Sequence, residues 1–146
     1  MSNIEKFIEN FRSFGANPNP EKYEALFDPK DGTVLHPGME KPLHRDHVRV
    51  YMQTVLSTIH NFRFEIACWA EQNGEVFIEA KNSGLVGGES LSWGTVYRVI
   101  LRGSLVLEGR AYGDRIPILA HLFPEMKLRE IAGISAPVPG LMNKES

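Results

Sequence analysis

The spacing of apolar residues along this chain changes once. Up to about residue 60 they recur every three or four positions, and from Asn61 they alternate with polar ones. Ile4, Phe7, Ile8 and Phe11 make one stripe on a helix. Gly15-Ala16-Asn17-Pro18-Asn19-Pro20 breaks it, and Asn19-Pro20 has the form of a cap followed by a first-turn proline. A short helix carrying Tyr23, Leu26 and Phe27 should follow, then a turn over Asp28-Pro29-Lys30-Asp31-Gly32. Thr33-Val34-Leu35-His36 reads as a short strand closed by Pro37-Gly38. Val48, Met52, Val55, Leu56 and Ile59 predict a helix over 46–59, with Asp46 as its N-cap.

In the second half Phe62, Phe64, Ile66, Cys68 and Ala70 alternate with Arg63, Glu65, Ala67 and Trp69. Asn73-Gly74 supplies a hairpin turn. Val76, Ile78 and Ala80 alternate on the way back, and Gly84-Leu85-Val86-Gly87-Gly88 reads as a second turn. A long strand from Ser90 to Leu101 follows, then a turn at Arg102-Gly103 and a strand from Leu105 to Tyr112. Residues 116–131 read as helical pieces opened by Pro117 and Pro124. Helices followed by a meander of hairpins give an α+β fold, with helices packed on one face of a bent sheet. The strands are apolar on both faces in places, with Phe62, Phe64 and Ile66 on one and Trp69 and Phe77 on the other. Helices can cover one face. A partner subunit or an aromatic-lined cavity must cover the other.

Composition narrows the function. At 146 residues the chain is long enough for one core without covalent staples, and 42% apolar with 23% charged residues is ordinary globular usage. A net charge of −2 speaks against nucleic acid, because phosphate contacts need a basic surface. The single cysteine, Cys68, excludes an internal disulfide framework and fits a reducing compartment. The N-terminus lacks a signal-peptide pattern, and no apolar run is long enough to span a bilayer. The expectation is a cytoplasmic protein with no membrane association.

Two segments carry a resemblance. Gly103-Ser-Leu-Val-Leu-Glu-Gly-Arg-Ala-Tyr112-Gly-Asp114 is similar to the closing turn, strand and Tyr-x-Asp of the SnoaL-like (polyketide cyclase-like) branch of the nuclear transport factor 2-like superfamily. Leu35-His36-Pro37-Gly38 and Lys41-Pro42-Leu43-His44-Arg45-Asp46 resemble that branch's early strand and the loop before its long helix. The similarity runs from about Ile4 to Phe123. It implies a conical α+β barrel, a strongly curved and mostly antiparallel sheet wrapped around N-terminal helices. It also implies a deep pocket for a small hydrophobic ligand and a homodimer through the outer sheet face. A single domain over 1–134 and an extended tail over 135–146 follow. Enzymes of this kind, among them polyketide cyclases, ketosteroid isomerases and scytalone dehydratase, do acid–base chemistry without a cofactor. Other members only bind ligands or proteins, so the fold leaves catalysis open.

Asp114 stands where SnoaL-like cyclases place their acid–base carboxylate. A carboxylate in an apolar pocket would have a raised pKa and exchange protons near neutrality, whereas a helix cap would use the same oxygens for backbone amides near Ile116. His36 falls at a pocket-wall position in this resemblance and could shuttle a proton; otherwise it is a loop histidine. Tyr97 and Tyr23 could offer phenolic hydroxyls to a ligand oxygen, as in scytalone dehydratase, or could simply pack. Phe62, Trp69, Trp93 and Phe77 would favour flat apolar ligands if they faced inward and would need no ligand as core or dimer-interface residues; Tyr112 is a further candidate for ligand binding. The epoxide hydrolase relay does not transfer, because Ala111 sits where one of its aspartates belongs and the middle-strand Arg-x-Asp is missing. The isomerase set fails too, since no Asp lies between Ser90 and Leu101.

Other patterns carry less. His44-Arg45-Asp46 spells a kinase tripeptide without the nucleotide loop or strand lysine around it. His44 and His47 have no third ligand at a recognisable spacing, so no metal is called for. Gly84 to Gly88 lacks the Lys-Ser/Thr of a phosphate loop. Cys68 reads as a small core residue. The sequence thus points to a ligand-binding domain, with isomerisation, cyclisation or dehydration of a polyketide, terpenoid or steroid as the enzymatic reading. A non-catalytic binding or interaction module is the other.

Overall fold

The computed structural model describes residues 1–114; the expected helical pieces, the domain limit at 134 and the tail lie outside these residues. Three helices and six strands follow one another along these residues: α1 (Asn3–Ala16), α2 (Pro20–Glu24), β1 (Thr33–Leu35), β2 (Leu43–His44), α3 (Arg45–Thr58), β3 (His60–Gln72), β4 (Glu75–Val86), β5 (Glu89–Arg102) and β6 (Leu105–Gly113). The strand order is β2-β1-β6-β5-β4-β3, curved but not closed into a barrel, so among the described residues β2 and β3 are the edges. All pairings are antiparallel except β1 with β6, where Thr33, Val34 and Leu35 lie opposite Glu108, Gly109 and Arg110.

Local chemistry explains the elements. Ser2 caps α1 in a reciprocal capping box with Glu5, and Asn19 caps α2 by accepting from Lys22 N at 2.8 Å. The helix expected to start from Asp46 is instead capped by His44, whose Nδ1 accepts from Asp46 N at 3.1 Å. Asp46 therefore sits in the first turn, where its charge still favours the positive end of the helix dipole. Asn73 and Gly74 both take positive φ, 53° and 82°, the pattern of a two-residue hairpin turn whose twist matches its strands. The second turn is shorter than expected. Only Gly87 and Gly88 form it, while Gly84, Leu85 and Val86 complete β4.

The core lies between the helices and the inner face of the sheet. Phe7, Ile8, Phe11 and Phe14 from α1 meet Phe64, Ile78 and Val99 there. Phe11 sits between Phe64 and Tyr97, with ring centroids 4.9 Å and 5.1 Å away. Gly15 lets α1 close on the β3 edge, since a Cβ there would fall 2.6 Å from the Phe64 carbonyl oxygen. The α2–α3 packing is pinned by Glu24, which accepts from Arg49 at 3.0 and 3.2 Å and faces Arg45 at 3.6 Å.

One irregularity overturns an expectation. The β3–β4 register shifts between Ile66 and Cys68, so the alternation reverses its phase at Ala67. Trp69 then lies opposite the fully buried Ile78, on the inner side of this edge strand, where it stays 39% exposed. Cys68 and Ala70 turn outward beside Glu79 and Phe77. Cys68 is accordingly exposed rather than a core residue. Its Sγ donates to Glu79 Oε2 at 3.5 Å, and that bond, with partial desolvation, raises the thiol pKa.

Candidate functional site

The parallel strands β1 and β6 separate after the Leu35–Arg110 pair, and the chain beyond β1 turns back through His36, Pro37, Gly38 and Met39. The gap between the diverging ends is a cavity of about 460 Å³, lined by these residues and by Arg110, Ala111, Tyr112, Gly113 and Asp114. His36 and Asp114, far apart in sequence, thus face one space. Asp114 stands exposed at the end of β6, and its N–H donates to the Gly94 carbonyl at 3.1 Å, which ties it to β5.

His36 also reaches inward. Its Nε2 lies 2.7 Å from the Tyr23 hydroxyl, and its ring stacks on Tyr51 at 4.3 Å with 18° between the planes. Tyr23 packs against Phe14 and Phe27 and is buried. Burial pushes the Tyr23 phenol well above its ordinary pKa, and the neighbouring Tyr51 and Tyr97 reinforce this. Burial likewise raises Tyr97, with Tyr51 adding to the shift and a hydrogen bond with Thr95 opposing it. Both phenols therefore keep their protons at any physiological pH. Tyr97 and Tyr23 share a crevice of about 30 Å³ with Phe11 and Val99, too small for more than a water.

A second polar group interrupts the inner face. Asn82 is 3% exposed, and its Nδ2 donates to Thr95 Oγ1 at 2.9 Å and to the Trp93 carbonyl at 3.1 Å. Tyr97, Thr95 and Asn82 thus form a hydrogen-bonded row between apolar neighbours. Trp93 stacks on Phe62 at 6.0 Å, and both are partly buried.

The structure therefore brings His36, Asp114 and Tyr112 to one cavity and links Tyr23 to it through His36. Tyr97 sits behind this group, in the core. Phe62 and Trp93 form a separate aromatic pair on the inner face, and Trp69 lies away at the sheet edge. Tyr112 is on the outer face, 48% exposed, with the Arg110 guanidinium 4.9 Å above its ring. Sequence reading missed Tyr51, Asn82 and Thr95. Tyr51 falls in phase with Val48 and Val55 on α3, and Asn82 falls in phase with Val76, Ile78 and Ala80 on β4, so each interrupts an apolar pattern that could have flagged it. Among the described residues no three His, Cys, Asp or Glu side chains come together as metal ligands, and no helix is long and apolar enough to cross a membrane.

No family model and no curated protein matches the chain. Solved structures do. A ketosteroid isomerase-like protein from Catenulispora acidiphila, in complex with trimethylamine, is similar at 19% identity and TM-score 0.70, over 78% of this chain and 89% of that one. IdmH from Streptomyces antibioticus, a proposed polyketide cyclase, is similar at 14% identity and TM-score 0.70, over 81% and 96%. An NTF2-like protein of unknown function from Burkholderia pseudomallei gives 16% and 0.71, over 82% and 96%. The chain has the fold of nuclear transport factor 2-like and ketosteroid isomerase-like proteins, as the resemblance in its sequence implied.

Proposed function

We propose that this protein binds a small, hydrophobic, oxygenated molecule in the cavity between β1 and β6 and moves protons on it without a cofactor. The observation that carries the reading is the meeting of His36 and Asp114 at one cavity, with His36 held by Tyr23 and Tyr51. Asp114 acts as the base that removes a proton next to a carbonyl. His36 polarises the carbonyl oxygen and returns a proton. Tyr23 keeps its own proton and can donate it to His36 Nε2, which leaves Nδ1 as the N–H of a neutral ring aimed by the stack on Tyr51. Tyr97 supports this arrangement from behind rather than touching ligand, and Tyr112 with Arg110 forms one wall. Isomerisation, cyclisation and dehydration all share this first step.

The test is solvent exchange. A panel of flat 1,3-dicarbonyl and phenolic ketone compounds is incubated with the protein in D2O, and loss of the α-carbonyl proton signals is followed by NMR. Exchange should be catalysed and should fall about 10²- to 10⁴-fold in Asp114→Asn and in His36→Gln, with ligand still bound. Ligand binding with no exchange in the unaltered protein would move the assignment to a non-catalytic binding module.

The same reading includes a homodimer through the outer sheet face. Phe77, Val96 and Tyr112 stand 37%, 42% and 48% exposed there, an apolar group on strands otherwise lined with charge.

A further inference from the structure

We propose a second binding site, for an oxyanion-bearing small molecule, where β3, β4 and β5 meet the end of α1. Beyond the apolar group, the outward residues of β3, β4 and β5 run in two rows, Arg63–Ser83–Ser92 and Glu65–Lys81–Gly94. With Arg12, Gly15 and Ala16 of α1, and with Phe64, Ile66, Asn82 and Trp93 from the same strands, they border a depression of about 1030 Å³, large enough for a metabolite of several functional groups. Gly15 is what brings α1 this close to the β3 edge, and so it sets Arg12 beside this surface.

The charged side chains there are mostly cationic. Arg45, Arg49, Arg98 and Arg102 all hold carboxylates. Arg12, Arg63 and Lys81 have no ion-pair partner among the described residues, although Glu65 lies directly across from Lys81 in the register. Three cations against one carboxylate make a locally positive surface on a chain whose net charge is −2. Guanidinium and ammonium groups with two serine hydroxyls can surround phosphate or carboxylate oxygens from several sides. Gly94 leaves the floor open, since a Cβ there would meet nothing within 4 Å.

The experiment is calorimetric titration at low ionic strength with inorganic tripolyphosphate and, separately, citrate. At least one should bind. Both Arg63→Gln/Lys81→Gln and Gly94→Glu should weaken that binding by about tenfold or more, while Lys41→Gln, away from the depression, should change it by less than about twofold. Circular dichroism verifies that each variant is folded. Tighter tripolyphosphate binding identifies a phosphate ligand, tighter citrate binding a polycarboxylate, and equal affinity a site selective only for oxyanion charge. Absence of heat from both probes up to about 10 mM, a Kd about as weak as −2.7 kcal/mol would give, overturns the proposal. So does undiminished binding by the double variant.

Discussion

The two faces of β4 are built from alternate residues of one strand, yet they answer to different demands. Val76, Ile78, Ala80, Asn82, Gly84 and Val86 are all buried, on the inner face of the sheet. Glu75, Phe77, Glu79, Lys81 and Ser83 face outward and, apart from the half-buried Glu75, are exposed. The inner row decides whether the chain folds. The outer row decides what the folded chain meets, with an apolar group near Phe77 and a basic one near Lys81. A sheet of this kind can therefore change its partners without changing its core, because the pleat separates the two sets of side chains.

Substitutions on opposite faces should separate these roles most sharply. Ile78→Ala removes buried methyl groups from the centre of the core and should cost about 2–5 kcal/mol in urea unfolding. Val96→Ala, on the outer face, should change stability by no more than about 0.5 kcal/mol when unfolding is followed at protein concentrations low enough to leave the monomer. Comparable losses from the two would mean that the outer face is covered within the subunit. A Phe77→Lys/Val96→Lys pair sharpens the comparison further. It should convert a dimer to a monomer in sedimentation while the unfolding midpoint at low protein concentration stays put. An unaltered sedimentation coefficient would remove the outer face from the proposed interface.

The smallest expected effect lies at the α2–α3 contact. Arg49, by hydrogen bonding, lowers the pKa of Glu24, with Arg45 contributing and partial desolvation opposing. A carboxylate whose folded pKa is depressed adds stability above its unfolded value, about 4.3, and loses it as pH falls through the folded one. Glu24→Gln should therefore be slightly less stable than the unaltered protein at neutral pH, and the gap should close in acid. A gap that persists below that range would assign the effect to packing of the side chain rather than to its charge.

Periodicity read the elements well where one physical demand acted on a whole segment. The α1 stripe, the Asn19-Pro20 start of α2 and the Asn73-Gly74 turn each follow from local chemistry, and each is found as expected. It failed where one residue changed the rule. A single extra residue at Ala67 reversed the inward and outward sets of β3, so Trp69 and Cys68 exchanged their expected sides. The two residues of β2 are too few to show alternation at all. His44 displaced Asp46 as a cap because an imidazole nitrogen can accept the same amide. Of the site, His36 and Asp114 were legible from the resemblance, but their meeting depends on a parallel pairing that no local pattern announces. Tyr51 and Asn82 were visible only as polar interruptions in apolar phases.

That parallel pairing also has a consequence for how the molecule is made. During synthesis β1 leaves the ribosome early, and its one neighbour among the described strands for most of translation is the two-residue β2, a contact too slight to hold alone. Its lasting partner, β6, emerges after every other described strand, and the Phe27–Val106 bridge closes with it. Until then the aromatic ends of α1 and α2 have part of a sheet to rest on but no completed edge. The nascent chain must therefore hold its earliest strand in waiting, which makes the emergence of β6 the step that commits the domain to its native topology and the interval before it the time of greatest exposure to aggregation.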